Sequence, residues 1–401
     1  MEIQNALLYV GIGGSGSKIG TELERWLRRN LRGVDGESPV GKESRQYLPY
    51  ELPPCLQFVY IDLDEMEARE LRKQAAPQDG DHSRAVAQTS QIAANLVPVQ
   101  RSFPDVAQSL RTAADGEVSD WLPPAIGEPN IAPLYRGAGQ LPTIARACLF
   151  ETIATTNGVE DAQRPIREAI NAMSGSGPAL AALGGSGAVT ACEVFVVFSV
   201  AGGTGTGLFL DYMHLIADAF DGSGIDITIH PLVVMPSAFP MGAGGGRPAQ
   251  LNAGRALLDL ARLVDDQNAR AADKIYGAEA AGLGRGLSVT YPGQGGKRIR
   301  IKGATIQTAY LFSETSGLSS ADLYRSIASF IRTKAGVRER AGGGGAEGPG
   351  ISQGHDINRQ VAKQSLAPSG VGGRSLSLAA VTSLSLPAAR SSTSSARTCS
   401  L

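Results

Sequence analysis

The chain contains few of the residues that build metal centres and disulfide frameworks. Its 401 residues include only four histidines and four cysteines. No two cysteines form a CxxC pair, and no zinc-ligand spacing can be built from them. The cysteines lie far apart, at Cys55, Cys148, Cys192 and Cys399. The composition therefore predicts a protein of a reducing compartment that has no zinc site.

The chain also lacks an excess of one charge and a long hydrophobic run. Lys and Arg total 37 against 38 Asp and Glu, a formal net charge of -1. This balance provides no basic surface for nucleic acid or an anionic membrane. The longest apolar run, around Val194, is too short to cross a bilayer, and the first residues lack the basic segment of a secretion signal. We expect a soluble cytoplasmic protein without membrane insertion.

The most informative stretch combines a buried strand with a glycine loop. Val194–Val200 is apolar and rich in β-branched and aromatic residues, as in a strand buried on both faces of a parallel sheet. Gly202–Gly207 contains four glycines and the hydroxyls of Thr204 and Thr206, and an apolar helical pattern follows. Free backbone N–H groups at such a helix start attract an anion, and glycines let a phosphate approach. The pattern predicts an α/β fold with a phosphate site.

A second glycine loop follows the first predicted strand, Ala6–Val10. Its Gly11-x-Gly13-x-x-Gly16 spacing fits the dinucleotide-binding fingerprint, which is a weak pattern by itself. It also approaches a P-loop, but Ser17-Lys18 reverses the order that this motif needs. The residues alone leave both alternatives open.

The loop Ala201-Gly-Gly-Thr-Gly-Thr-Gly207 resembles the GGGTG(S/T)G loop of the tubulin/FtsZ superfamily, with Ala201 in place of the first glycine. Four further segments resemble that family in the same order: the Gly11–Gly16 loop, Asp62-Leu-Asp64-Glu65, the Gly137–Gln140 turn and Val-Val-Met-Pro236 with Asn252. The resemblance implies a parallel-sheet, Rossmann-like GTPase domain that holds GTP or GDP with Mg²⁺.

The resemblance also assigns a role to each segment. The first loop would hold the α- and β-phosphates, the Asp62 segment and the Gly137–Gln140 turn would approach the γ-phosphate, Pro236 would lie near the ribose, and Asn252 would contact guanine. The implied nucleotide-contacting positions are Gly11, Gly13, Gly14, Ser15, Gly16, Asp62, Asp64, Gly137, Ala138, Gly139, Gln140, Ala201, Gly202, Gly203, Thr204, Gly205, Thr206, Gly207, Pro236 and Asn252. No catalytic residue is assigned.

Several of these residues have ordinary structural alternatives. Asp64, which could reach Mg²⁺ through water, and Glu65 could instead cap the helix that follows. Asn252 could likewise be a helix cap, and Arg146 could be solvated. We expect Gly205→Val to abolish binding because its side chain would occupy the phosphate's place.

The domain organisation follows from composition. Residues 1–334 are predicted to form one tubulin-like GTP-binding domain, with insertions or loops at 33–55, 75–133 and 273–302. Residues 335–401 are rich in Gly and Ser and are predicted to be a disordered low-complexity tail.

The resemblance implies a guanine-nucleotide-binding protein that associates head to tail with itself, with nucleotide-dependent filaments as one outcome. In the family, an acid from the neighbouring subunit's loop after a long core helix supports GTP hydrolysis. Here the segment after Ile331 is basic, so we expect weak or absent GTPase activity. Two alternatives stay open: a NAD(P)- or FAD-dependent oxidoreductase using the first glycine loop, and a non-catalytic nucleotide-binding scaffold.

Overall fold

A computed structural model describes residues 3–30, 52–64, 67, 70, 93–95, 101–241, 244–276, 287–293, 296–303, 305–306, 308–313 and 319–335. The predicted tail beyond residue 335, Glu65 and most of the predicted insertion 33–55 lie outside these residues.

The described part of the chain contains both strands and helices. The strands are β1 Ala6–Ile12, β2 Leu56–Asp62, β3 Ala93–Asn95, β4 Ala191–Ser199, β5 Asp226–Val234, β6 Ser288–Tyr291, β7 Lys297–Arg300 and β8 Tyr310–Phe312. The helices are α1 Gly13–Asn30, α2 Phe103–Ala113, α3 Asp115–Val118, α4 Pro142–Thr155, α5 Val159–Ser174, α6 Gly177–Ala182, α7 Gly203–Phe220, α8 Arg247–Tyr276 and α9 Ser320–Lys334.

Six strands form one sheet in the order β3-β2-β1-β4-β5-β8. Every neighbouring pair in this sheet is parallel, as the continuous apolar runs predict. The chain proceeds outward from β1 in one direction and from β4 in the other. Ligands of open α/β sheets bind where the strand order reverses in this way, beyond the carboxyl ends of the strands.

The opposite directions of the two halves place helices on both faces of the sheet. Parallel crossovers are right-handed, so α1, between β1 and β2, and α7, between β4 and β5, cover opposite faces. Helix α1 packs against α9, whereas α7 packs against α4, α5 and α8. This three-layer arrangement buries β1 completely and holds the starts of α1 and α7 at the central edge.

Two parts of the predicted insertions have regular structure. Residues 103–113, predicted as loop, form α2, and Phe103, Val106 and Leu110 are fully buried at helical spacing. The helix begins with a capping box formed by Ser102 and Asp105. Within 273–302, α8 continues to Tyr276, and β6 and β7 form an antiparallel hairpin. Polar flanks obscured both patterns in the sequence.

No helix in the part of the chain that the structure describes is long and apolar enough to span a membrane.

Candidate nucleotide-binding site

A cleft opens at the edge where β1 and β4 end side by side. Both strands lead directly into glycine loops, and these two loops form its floor. The cleft is lined by Ile12, Gly13, Gly14, Ser15, Ser199, Ala201, Gly202, Gly203, Thr204, Gly205, Phe239 and Gly244. The tertiary structure therefore brings together two loops that lie almost 190 residues apart in the chain.

The cleft receives the N-termini of two long helices. Helix α1 starts at Gly13 and α7 at Gly203, and neither has an acidic residue in its first turn. The first backbone N–H groups of a helix lack partners within it and carry its positive dipole end. A Cβ added at Gly202 would meet no atom within 4 Å. The site thus offers open space and two sets of N–H donors, which fit a phosphate chain.

A carboxylate lies next to the cleft-lining Thr204, although it does not itself line the cleft. Asp62 ends β2, and burial raises its pKa to about 6, although hydrogen bonds from the backbone of Asp64 and Leu63 and from the Thr204 hydroxyl oppose the shift. Asp64 lies close by, but its Oδ1 accepts a hydrogen bond from the Glu67 backbone N–H at 2.9 Å. Asp62 therefore faces the loop Ala201–Gly207, the predicted phosphate loop, through Thr204, and Asp64 has the capping contact that the sequence offered as an alternative.

These carboxylates fit Mg²⁺ only if phosphate oxygens and water supply the remaining ligands. Among the described residues, no group of three His, Cys, Asp or Glu side chains is arranged to hold a metal ion. Mg²⁺ commonly uses one or two carboxylates and completes its coordination with phosphate oxygens and water. The residues present match that requirement, because Asp62 lies beside the loop that would hold phosphate.

The Gly137–Gln140 turn packs against the phosphate loop rather than lining the cleft. Gly139 and Gln140 have φ values of 58° and 64°. The Asn252 amide donates to the Gln140 carbonyl at 2.9 Å and to the Ala201 carbonyl at 3.3 Å. Asn252 thus ties the turn to the loop, and its role in contacting a base stays a prediction.

Other predicted positions lie behind the cleft. Thr206 donates to the Ser199 carbonyl at 3.4 Å, so its hydroxyl braces the loop against β4 instead of facing a ligand. Gly11, Gly16, Gly207 and Pro236 are likewise absent from the cleft lining.

Gly205→Val is predicted to abolish binding because the valine would occupy the phosphate's place, and this reason is wrong. A Cβ at Gly205 would lie 2.5 Å from the Ser199 carbonyl oxygen. A valine there would therefore collide with the end of β4, and it would disrupt the loop itself before it reached a ligand.

The structure also shows where the reversed Ser17-Lys18 order places the lysine side chain. The Lys18 ammonium is 2.7 Å from Glu67 Oε1, and Lys18 lines a different cavity with Tyr324. Burial lowers the pKa of Lys18, but the hydrogen bond and charge of Glu67 outweigh it and the net pKa is raised. Lys18 is therefore a charged partner of Glu67 and not a phosphate-binding P-loop lysine.

Sequence reasoning missed Phe239 and Gly244 as cleft residues. They belong to the segment after β5, which turns back over the phosphate loop. The glycine-rich run before Arg247 was the available signal, since such a run permits a close approach of backbone to a ligand.

Comparison with known proteins identifies a family and a similar solved structure. A family model described as "Tubulin like" matches residues 8–394, which extends well into the predicted tail. A GTPγS-form protofilament of Bacillus thuringiensis serovar israelensis TubZ is similar at a TM-score of 0.39 and 11% identity. The alignment covers 89% of this chain and 60% of that one. A search of curated proteins returned no match.

Proposed function

The chain belongs to the tubulin-like family, and from that premise we propose that its cleft binds a guanine nucleotide together with Mg²⁺. The observation that carries the proposal is the meeting of two glycine-led helix starts, Gly13 and Gly203, in one cleft at the point where the strand order reverses. Two such N-termini favour a ligand with several negative charges.

Backbone N–H groups and carboxylates would bind different parts of the ligand. Backbone N–H groups of Gly13–Ser15 and Gly202–Gly205 would hold the phosphates, because no basic side chain lines the cleft within the described residues. Asp62 would hold Mg²⁺, and Asp64 would reach it through water. Bound Mg²⁺ would neutralise charge shared between the carboxylates and the phosphates. The oxidoreductase alternative uses only the first loop and gives the second loop no role.

Equilibrium binding of GTP, ATP and NAD, each with and without Mg²⁺, tests the assignment. We expect GTP to bind most tightly and only in the presence of Mg²⁺, because the paired loops and Asp62 suit a triphosphate with its metal. Isothermal titration calorimetry measures each dissociation constant directly. Tighter binding of NAD than of GTP would reassign the cleft to a dinucleotide.

We also propose that the protein acts in the cytoplasm and associates with a second copy of itself across this cleft. Large apolar side chains stand exposed beside the loops: Met241 is 89% exposed, Leu251 67% and Leu141 39%. Large apolar side chains exposed near a binding site favour a protein contact. A head-to-tail contact repeats without closing unless a rotation joins the ends, so it can build a filament.

Sedimentation and phosphate release across a protein concentration series test the association and hydrolysis together. We expect GTP to increase the pelleted fraction while phosphate release stays near background, since the segment after Ile331 is basic and lacks a well-placed acid. Turnover that rises steeply with concentration would show that subunits complete each other's sites, and would overturn the expectation of weak hydrolysis.

A further inference from the structure

The two helices that leave the Gly137–Gln140 turn and the phosphate loop touch at their first turns. Helix α4 begins at Pro142, directly after the turn, and α7 begins at Gly203. A Cβ at Gly207 would lie 2.2 Å from the Pro142 carbonyl oxygen. The helices therefore meet backbone to backbone, and a shift of one first turn displaces the other.

One turn further along, a partly buried ion pair joins the same two helices. Arg146 Nε on α4 donates to Asp211 Oδ2 on α7 at 3.1 Å. The Asp211 side chain is only 1% exposed. The guanidinium lies over the rings of Trp121 and Phe150, at 4.7 and 5.0 Å from their centroids. Arg146 is therefore held against two rings and a carboxylate, with 27% of its side chain exposed, and is not a freely solvated arginine as in the sequence alternative.

The surroundings of Asp211 make Arg146 its main electrostatic partner. Asp211 Oδ1 is buried and has no hydrogen-bond partner in the described part of the chain. Tyr291 on β6 donates its hydroxyl to the Asp211 backbone carbonyl at 3.1 Å, which fixes this turn of α7 beneath the hairpin. A buried carboxylate needs a counter-charge, so the pair resists any sliding of α4 along α7.

We propose that Arg146 and Asp211 are a positioning pair that sets the spacing between the Gly137–Gln140 turn and the phosphate loop, and thereby the affinity for the phosphate part of the nucleotide. The inference rests on the proposed function of the cleft. Neither residue lines the cleft, so the pair acts through the backbone at the starts of α4 and α7. Its loss should weaken a ligand more, the more phosphates that ligand carries.

Calorimetric titration of GTP, GDP and GMP into full-length variants tests the proposal. Arg146→Gln should weaken GTP binding about tenfold to a hundredfold, the loss expected from one misplaced hydrogen bond to a charged group, and GMP binding less. Arg146→Lys keeps the charge without the planar fork, so we expect an intermediate affinity and a retained fold. A merely structural role would lower the thermal midpoint without changing the ratio of GTP to GMP affinity.

The matched control is Lys297→Met. Lys297, on β7, pairs at 2.7 Å with Asp218, which lies on α7 like Asp211. Asp218 is nearly two turns further from the phosphate loop than Asp211. The loss of Lys297 should therefore leave all three affinities unchanged. The double variant Arg146→Met with Asp211→Leu removes the buried charge while keeping apolar packing, so it should fold and still bind GTP weakly.

Three outcomes decide the matter. Normal GTP binding by Arg146→Gln, or by the double variant, overturns the positioning role alone. An equal loss for GTP and GMP also overturns it. Failure of the unmodified protein to bind any of the three nucleotides overturns the proposed function, and the positioning role falls with it.

Discussion

Replacing Gly202 with valine should abolish nucleotide binding and leave the fold intact. Gly202 precedes α7 with extended backbone angles, φ −88° and ψ 169°, which valine adopts readily. Its Cβ would enter open space, because no atom beyond its chain neighbours lies within 4 Å. The added methyl groups would stand in the cleft that we propose receives the phosphates. We expect GTP affinity to fall by more than about a hundredfold, about 3 kcal/mol, and stability to change by about 1 kcal/mol or less.

Gly187→Val is the matched control for this substitution. A Cβ at Gly187 also meets no atom within 4 Å, but Gly187 lies before β4, away from the cleft, so GTP affinity should be unchanged. Gly205→Val provides the opposite contrast, since its collision with Ser199 should lower the thermal midpoint. Wild-type GTP affinity in Gly202→Val would show that the phosphates do not bind at this loop.

Replacing Glu24 with alanine should cost more stability than any surface substitution on α1. Glu24 Oε1 accepts from Arg28 Nη2 at 2.5 Å, and Oε2 accepts from the Tyr60 hydroxyl at 2.8 Å. Both charged side chains are 1% exposed. Alanine removes the carboxylate and leaves the guanidinium buried without it, which costs about 3–5 kcal/mol of unfolding free energy. Urea-induced unfolding followed by circular dichroism measures the loss.

The control is Glu22→Ala on the same helix. Glu22 pairs with Arg25 at 2.9 Å, with side chains that are 35% and 29% exposed. Water screens such a pair, so its loss should change stability by about 0.5 kcal/mol or less. Similar losses for Glu22→Ala and Glu24→Ala would show that burial does not strengthen the Glu24 network as the geometry implies.

Local chemistry made the main elements and the glycine loops predictable. The apolar run around Val194 and the glycines after it predict a buried strand and a loop that leads into a helix, and β4 and α7 are found there. The same holds for β1 and α1. These signals depend only on neighbours in the chain, since strand propensity, glycine backbone freedom and helix N-termini act within a few residues.

Secondary structure with long polar flanks was harder to predict. Residues 103–113 carry four buried positions at helical spacing, but prolines and polar segments surround them. Their helix is stabilised chiefly by packing against α4, which is a contact between residues distant in the chain. Propensity within the segment is weak evidence when tertiary packing supplies most of the stability.

The sequence by itself determined that two glycine loops follow buried parallel strands, because each loop consists of contiguous residues. Only the tertiary structure decided that β1 and β4 are neighbours, and hence that both loops serve one cleft. It also decided that Thr204 faces Asp62 while Thr206 faces Ser199, and that Arg146 meets a buried Asp211. The physical reason is that the direction and burial of a side chain depend on helix packing and on strand order. Both are set by contacts between residues that are far apart in the chain.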